Sequence, residues 1–495
     1  MAFYLLHIFE KFAYSIFMNI TNSLNENVSA LKNLLKSDDV FYHNFEVKSL
    51  KAVAIFIETL ADKVLIGKQV IEPFKNIDDD TTFESVLNSV NAPETEAILN
   101  ISDCAKKVCE GDLIIFIDGF NKAINVKCKK PTSRAVTEPP TSSVLKGPRE
   151  GFVENLQMNL SLLRQRLKSP DLCFKKYTVG KYSQTTVGIL YVSSIASDKI
   201  VKAVTEKIKK INVDGIIDSS YIIKCISDRK TTLFRQVGTT EKPDILTAKL
   251  LEGRVAIIVD GSPIVLTVPF LFIEDFQSSE DYYVNAYRAN LSRTLRVLAV
   301  IFAIILPSFF VAAQLFHLQI IPLNFLLTIV GSIKGIPLSP SVEMFFTLFI
   351  FEILNEASIR MPRYVGIAMS VVGALVLGET AVNAGIVSTP TIMIMALSGI
   401  CIYTVPDMTE TLSVLRILFL IIAGSFGGFG IVLFGCALIT YLSDFDSFGV
   451  PYLSPYSPIV KNDLQDAITM SFYAEMKKRP ASFKPKNVIR KNFNE

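Results

Sequence analysis

Between residues 297 and 443 the chain is written for a different solvent from the rest. Of its 50 basic and 47 acidic side chains, only ten fall within those 147 residues. Runs such as VLAVIFAIILPSFFVAAQLF (297–316) and ILFLIIAGSFGGFGIVLFGCALI (417–439) are each at least 20 residues long. A helix needs roughly 20 apolar residues to cross a hydrocarbon core, and both runs meet that length. The 296 residues ahead of them have an ordinary soluble composition. The pattern predicts an α/β aqueous domain followed by an all-α polytopic membrane domain.

The formal net charge is +3, which gives no global pull toward nucleic acid. Seven cysteines (104, 109, 128, 173, 225, 401 and 436) lack paired spacing and point to a reducing compartment rather than a disulfide framework. His7, His43 and His317 lie far apart, and no HExxH, CxxC or EF-hand loop occurs, so neither a metal nor another cofactor is expected. Without a GxSxG, a P-loop or a kinase set, the sequence does not read as an enzyme. The opening MAFYLLHIFEKFAYSIFMNI has no positive leading end and is not a cleaved signal. It reads as an amphipathic helix that lies on the membrane or packs on the soluble domain.

The aqueous part repeats itself. CEGDLIIFIDGFNKAINVKC (109–128) matches LEGRVAIIVDGSPIVLTVPF (251–270), each with Asp-Gly between two apolar runs, a strong hairpin signal. Upstream, 54–77 and 188–211 each read as a β-rich run followed by an amphipathic helix. The offsets, 136 residues from Asp62 to Asp198 and 142 from Gly111 to Gly253, predict a duplicated α/β subdomain. The expected division is a variable segment (1–36), subdomain 1 (37–130), a Pro/Arg-rich linker and helix (131–172), subdomain 2 (173–290), a transmembrane domain (291–443) and a basic tail (444–495). In the linker helix, Leu156, Leu160, Leu163 and Leu167 share a stripe, with Arg149, Arg164 and Arg166 beside it. Those arginines belong either to a docking element for a partner or lipid headgroups, or to a solvated helix face with local salt bridges.

Five membrane segments are expected, at 297–317, 341–357, 364–386, 390–406 and 414–442. The shorter 320–333 suits a re-entrant piece. Arg288, Arg293 and Arg296 before the first span put the aqueous domain in the cytoplasm, and the basic tail asks for the same side. Five crossings cannot satisfy both. Either 414–442 breaks at its glycines and turns back, or 320–333 crosses.

Glu343, Glu352, Glu356 and Glu379 fall inside the expected spans. Glu352, Glu356 and Arg360 share one helix face, as do Glu379 and Asn383. A carboxylate at the membrane centre costs about 2.5 kcal/mol or more, so it faces the bundle interior or water. The candidates for an ion pathway are therefore Glu352, Glu356, Glu379 and Asn383. The alternative is helix-to-helix glue in which Arg360 or Arg363 neutralises the glutamates. Gly424 and Gly428 are spaced for close GxxxG helix packing.

Several segments together resemble one family, the A subunits of the GerA-type nutrient germinant receptors of spore-forming bacteria. They are GPREGFVENLQMNLSLLRQRLKSPDL (147–172), LEGRVAIIVDGSPIVLTVPF (251–270), FEILNEASIRMP (351–362), VVGALVLGETAVNAGIVS (371–388) and FGVPYLSPYSP (448–458). A departure is Arg235, where the family tends to have proline. The resemblance implies a multi-pass subunit of the inner spore membrane that works with a transporter-like B subunit and a lipoprotein C subunit. It also implies self-association into a gated channel that releases cations at germination. A non-conducting scaffold and a secondary transporter are the other classes to be weighed.

Overall fold

The computed structural model describes residues 19–491 apart from 48–49, 75–81, 93, 131–145, 363–364, 367–371 and 374–375. The amphipathic segment expected at the N-terminus and most of the Pro-rich connection lie outside the described residues.

Two five-stranded antiparallel sheets carry the aqueous half, and their strand orders correspond. The first unit contains α1 (Leu24–Leu34), β1 (Val40–Val47), β2 (Leu50–Ile57), a helical run α2 over 63–74, α3 (Phe83–Ser89), β3 (Thr95–Ile98), α4 (Ile101–Glu110), β4 (Leu113–Ile117) and β5 (Ala123–Val126). The second contains α5 (Leu156–Arg166), β6 (Leu172–Val179), β7 (Thr185–Val192), α6 (Asp198–Lys209), α7 (Ser219–Ile226), β8 (Gly238–Thr240), α8 (Pro243–Leu251), β9 (Val255–Val259) and β10 (Val265–Val268). The orders are β1-β2-β4-β5-β3 and β6-β7-β9-β10-β8. Every residue of β4, β5, β9 and β10 is buried. These strands are covered on both faces, which is why LIIFI and VAIIV read as unbroken apolar runs rather than alternating ones.

The Asp-Gly signals close hairpins, but through five-residue loops, because each aspartate has a second task. Asp118 Oδ1 accepts the Leu24 N–H at 3.1 Å, and Asp260 Oδ1 accepts the Leu156 N–H at the same distance. Gly119 and Gly261, at φ +90 and +88, donate their N–H groups to Asn22 and Glu154 carbonyls. Asn27 and Asn159 repeat each other as well, each pairing with both backbone groups of a residue six positions earlier. The repeat therefore extends to matching hydrogen bonds that fasten the first helix of each unit to its hairpin.

Arg164 corrects both readings of the linker helix. Its guanidinium is neither a docking group nor solvated. It is buried and makes a two-pronged contact with Asp39, at 2.9 Å from Nε and 2.8 Å from Nη2. Ser37 joins the same cluster, and Asp38 pairs its backbone with Phe174, so this clamp ties the start of β1 to β6 across the two units. Arg166 pairs with Glu150, and Arg149 is exposed.

Among the described residues, five helices of eleven residues or more follow: α9 (Ala286–Phe316), α10 (Leu323–Ile333), α11 (Pro340–Arg360), α12 (Thr389–Ile402) and α13 (Thr409–Ser443). Among the described residues, two apolar helices, Ala286–Phe316 and Pro406–Ser443, are long enough to cross a membrane, each with mean hydropathy 2.5. The second is not straight. Gly427 has φ 63 and ψ −149, a conformation essentially confined to glycine. Phe419 and Phe434 lie fifteen positions apart, about 22 Å along a straight helix, yet their rings meet at 4.8 Å. The helix turns back on itself, forming arms of about 27 and 24 Å at 1.5 Å per residue. Both arms start from the same region: Thr411 donates to the Leu233 carbonyl, and Tyr441 packs on Phe234.

This hairpin returns the tail to the α/β side. The α10 helix has 11 residues, which is about 16 Å and too short to cross. The basic tail is not a free strand. Lys486 reaches Ser193 and Asp198, Arg479 reaches the Leu251 carbonyl, and buried Tyr452 packs among Phe270, Phe272 and Phe445. At the foot of α9, Arg293 is fully buried between Asp281 and Asp466.

Candidate functional site in the membrane half

The helices cross-link through one polar cluster. Arg416, in the first arm of α13, is fully buried and reaches Glu352 of α11 at 2.6 Å. Its other nitrogen lies 3.1 Å from the Ser398 hydroxyl of α12, which in turn donates to the Ala303 carbonyl of α9. Phe351 lies under the guanidinium at 5.5 Å. Four helices thus meet at a charge pair, in which the buried Arg416 Nε has no hydrogen-bond partner among the described residues. Glu352 is paired with Arg416, a partner that the helix-to-helix alternative did not name, while Arg360 pairs with Glu356. Spacing on one helix could not reveal a partner 64 residues away. The sequence signal was a lone arginine inside an apolar run, which sequence reasoning passed over.

Glu356 pairs with Arg360 at 2.5 Å on the exposed surface of α11, the i,i+4 contact that their spacing predicts. Arg363 lies outside the described residues. Glu379 is exposed in a short π-helical turn, Val376–Thr380, and no hydrogen bond or ion pair engages it among the described residues. Asn383 follows, also exposed, at the rim of a depression lined by Lys334, Ser388 and Thr389. Glu379 lies between Gly373, which packs on Leu354, and Ser388, which is held by Glu343. The structure therefore separates the four pathway candidates. Glu352 is paired with buried Arg416, Glu356 is paired with Arg360, and Glu379 and Asn383 are exposed, with no side-chain ion pair among the described residues.

Gly424 and Gly428 both sit at close approaches, but not on one GxxxG face. A Cβ on Gly424 would meet the Ser341 hydroxyl at 2.8 Å, and one on Gly428 would meet His317 at 3.1 Å. The break at Gly427 lies between them, so each serves a different neighbour.

The comparisons with known proteins bear on these features together. A family model described as Bacillus/Clostridium GerA spore germination protein matches residues 29–482. The chain belongs to the GerA family. Spore germination protein KA of Bacillus subtilis (strain 168) is 34% identical over 481 residues, covering 95% of this chain and 88% of that one. An uncharacterized membrane protein, YfkQ, of the same organism is 33% identical over 94% of this chain and 92% of its own length. Spore germination protein GerLA of Bacillus cereus is 31% identical, over 88% and 90%. A crystal structure of the N-terminal domain of the A subunit of the Bacillus megaterium spore germinant receptor GerK3 matches at 28% identity and TM-score 0.41, covering 51% of this chain and 97% of that one. The named germination relatives are called germination proteins, not enzymes.

In this GerA-family chain the departure at Arg235 has a structural role. Arg235 pairs with buried Asp275 and lies 3.3 Å from Asp407, in the turn before α13. It joins the second α/β unit to the foot of the helical hairpin. Burial pushes the Asp275 carboxyl up to about 6 despite the neighbouring arginine. Arg229 makes a second tie, to Asp444 just beyond the returning arm. The α/β units and both ends of the hairpin are thus mechanically connected.

Proposed function

We propose that this GerA-family chain is the A subunit of a spore nutrient germinant receptor, and that copies of it assemble in the inner spore membrane into a gated cation channel. The α/β units face the cytoplasm, and the helices cross the membrane several times. A transporter-like B subunit and a lipoprotein C subunit complete the receptor. Glu379 and Asn383 line the cation path, since carboxylates facing a pore attract cations. The gate is a population shift: a signal from the B subunit favours an open arrangement by a few kcal/mol.

The observation that carries this reading is Glu379, exposed on the single chain and without a partner among the described residues. Against lipid such a group costs about 2.5 kcal/mol or more, so an exposed intramembrane carboxylate calls for an aqueous surface, and an assembly of copies supplies one. The connection of hairpin and α/β units through Arg235 and Arg229 gives a cytoplasmic event a route to the helices.

The test is cation flux through the purified chain in liposomes, alone and with the B and C subunits. Glu379→Gln is expected to reduce flux while leaving insertion and stability unchanged. Undiminished flux in the mutant at equal protein level would remove Glu379 from the path. Silence of the complete receptor would favour the scaffold.

A further inference from the structure

Among the described residues, two charged side chains are fully buried within the helical half beyond residue 297, Arg416 and Glu343. Arg416 has Glu352. Glu343 has no cation: α12, packed against it, carries no charged residue, and none of Lys334, His317, Glu379 or Arg416 makes an ion pair with it among the described residues. Its Oε1 is fully used, accepting the Ser388 N–H at 2.7 Å and the Ser388 hydroxyl at 2.6 Å. Its Oε2 is buried and has no hydrogen-bond partner among the described residues. Beside it the Ser388 and Thr391 hydroxyls lie 2.9 Å apart. Ser388 also forms part of the wall of the depression that Asn383 and Lys334 rim. This corner lies at the end of the helices remote from the α/β units, because neighbouring Ser341 meets Gly424 and the hairpin tip meets Phe316.

We propose that Glu343, with the hydroxyls of Ser388 and Thr391, forms a binding site for an alkali metal cation, entered from that depression. A buried carboxylate oxygen needs a donor or a cation to offset its desolvation, and a bound cation supplies it here. The donors are all oxygens, which suit hard cations and not soft ones. One carboxylate with neutral hydroxyls balances a single positive charge, whereas Ca²⁺ or Mg²⁺ calls for more ligand charge or retained waters. The bound cation ties α11 to the start of α12. The inference does not need the chain to conduct, since occupancy is measurable without flux.

The experiment follows thermal unfolding of the full-length chain in detergent, in sodium or potassium chloride against N-methylglucamine chloride at equal ionic strength. Wild type is expected to gain a few degrees at about 100-fold excess of alkali cation over its Kd. Glu343→Gln should lose the gain, and Ser388→Ala should need more cation for it. A midpoint indifferent to alkali cations overturns the proposal, as does an undiminished gain in Glu343→Gln. A midpoint that follows pH but not sodium or potassium also overturns it, with a proton as the occupant. If Glu343→Gln does not fold, sodium NMR line broadening decides between wild type and Ser388→Ala, and equal broadening counts against the site.

Discussion

Removing the charge of Glu352 separates a neutralised carboxylate from a pore-lining one. Gln in its place keeps an oxygen that can accept from Arg416 but leaves the guanidinium, fully buried, without a counter-charge. With nitrogen and oxygen 2.6 Å apart, the charge centres lie about 4 Å from each other, and at an effective dielectric of ~20 their attraction is about 4 kcal/mol. Breaking one side of a buried pair costs about 3–5 kcal/mol in other proteins. The Glu352 side chain is 24% exposed, which moves the expectation to the lower end, about 3 kcal/mol. Chemical unfolding of Glu352→Gln in detergent should show that loss. The double variant Glu352→Leu, Arg416→Met should recover most of it, because it removes both charges from the same apolar setting. Glu379→Gln should stay within about 0.5 kcal/mol of wild type, as an exposed unpaired group does. A Glu352→Gln variant within about 1 kcal/mol of wild type would refute the reasoning and return Glu352 to a hydrated path.

Two further outcomes follow from the joint and the hairpin. Gly427→Ala requires a side chain at φ 63 and ψ −149 with its Cβ 2.8 Å from the Phe316 ring; a loss of about 2–4 kcal/mol is expected, read as a lower unfolding midpoint and greater protease access to the tail, and normal stability would mean that the turn is not there. Asp275 has a folded carboxyl raised from 3.8 to about 6, so its contribution is present below the unfolded value and is lost as pH rises from about 4 to about 6. Wild-type stability should therefore fall by roughly 3 kcal/mol from this group across that window, Asp275→Asn should flatten that part of the profile, and an unchanged slope would contradict the assignment.

Much of the architecture is legible along the chain because local forces decide it. The apolar runs mark the helical half, the Asp-Gly pairs mark both hairpins, and the spacing of the matched segments reveals the repeat. Glu356 and Arg360 meet because four residues bring them to the same face of one helix. The glycine cluster also offers 414–442 a place to reverse, without saying which glycine takes the turn.

What needed tertiary structure is every contact between residues remote in sequence. Arg164 reads as a surface arginine until Asp39, 125 residues earlier, is folded against it. Arg416 finds Glu352 only when α11 and α13 pack, and Glu343 is buried against Ser388 only when α11 meets the start of α12. Side-chain type and spacing determined which groups are charged and which stretches leave water. Whether each charge is paired, exposed or left wanting a ligand was decided by the distances that folding closes, since attraction and desolvation both depend on what surrounds the group in space.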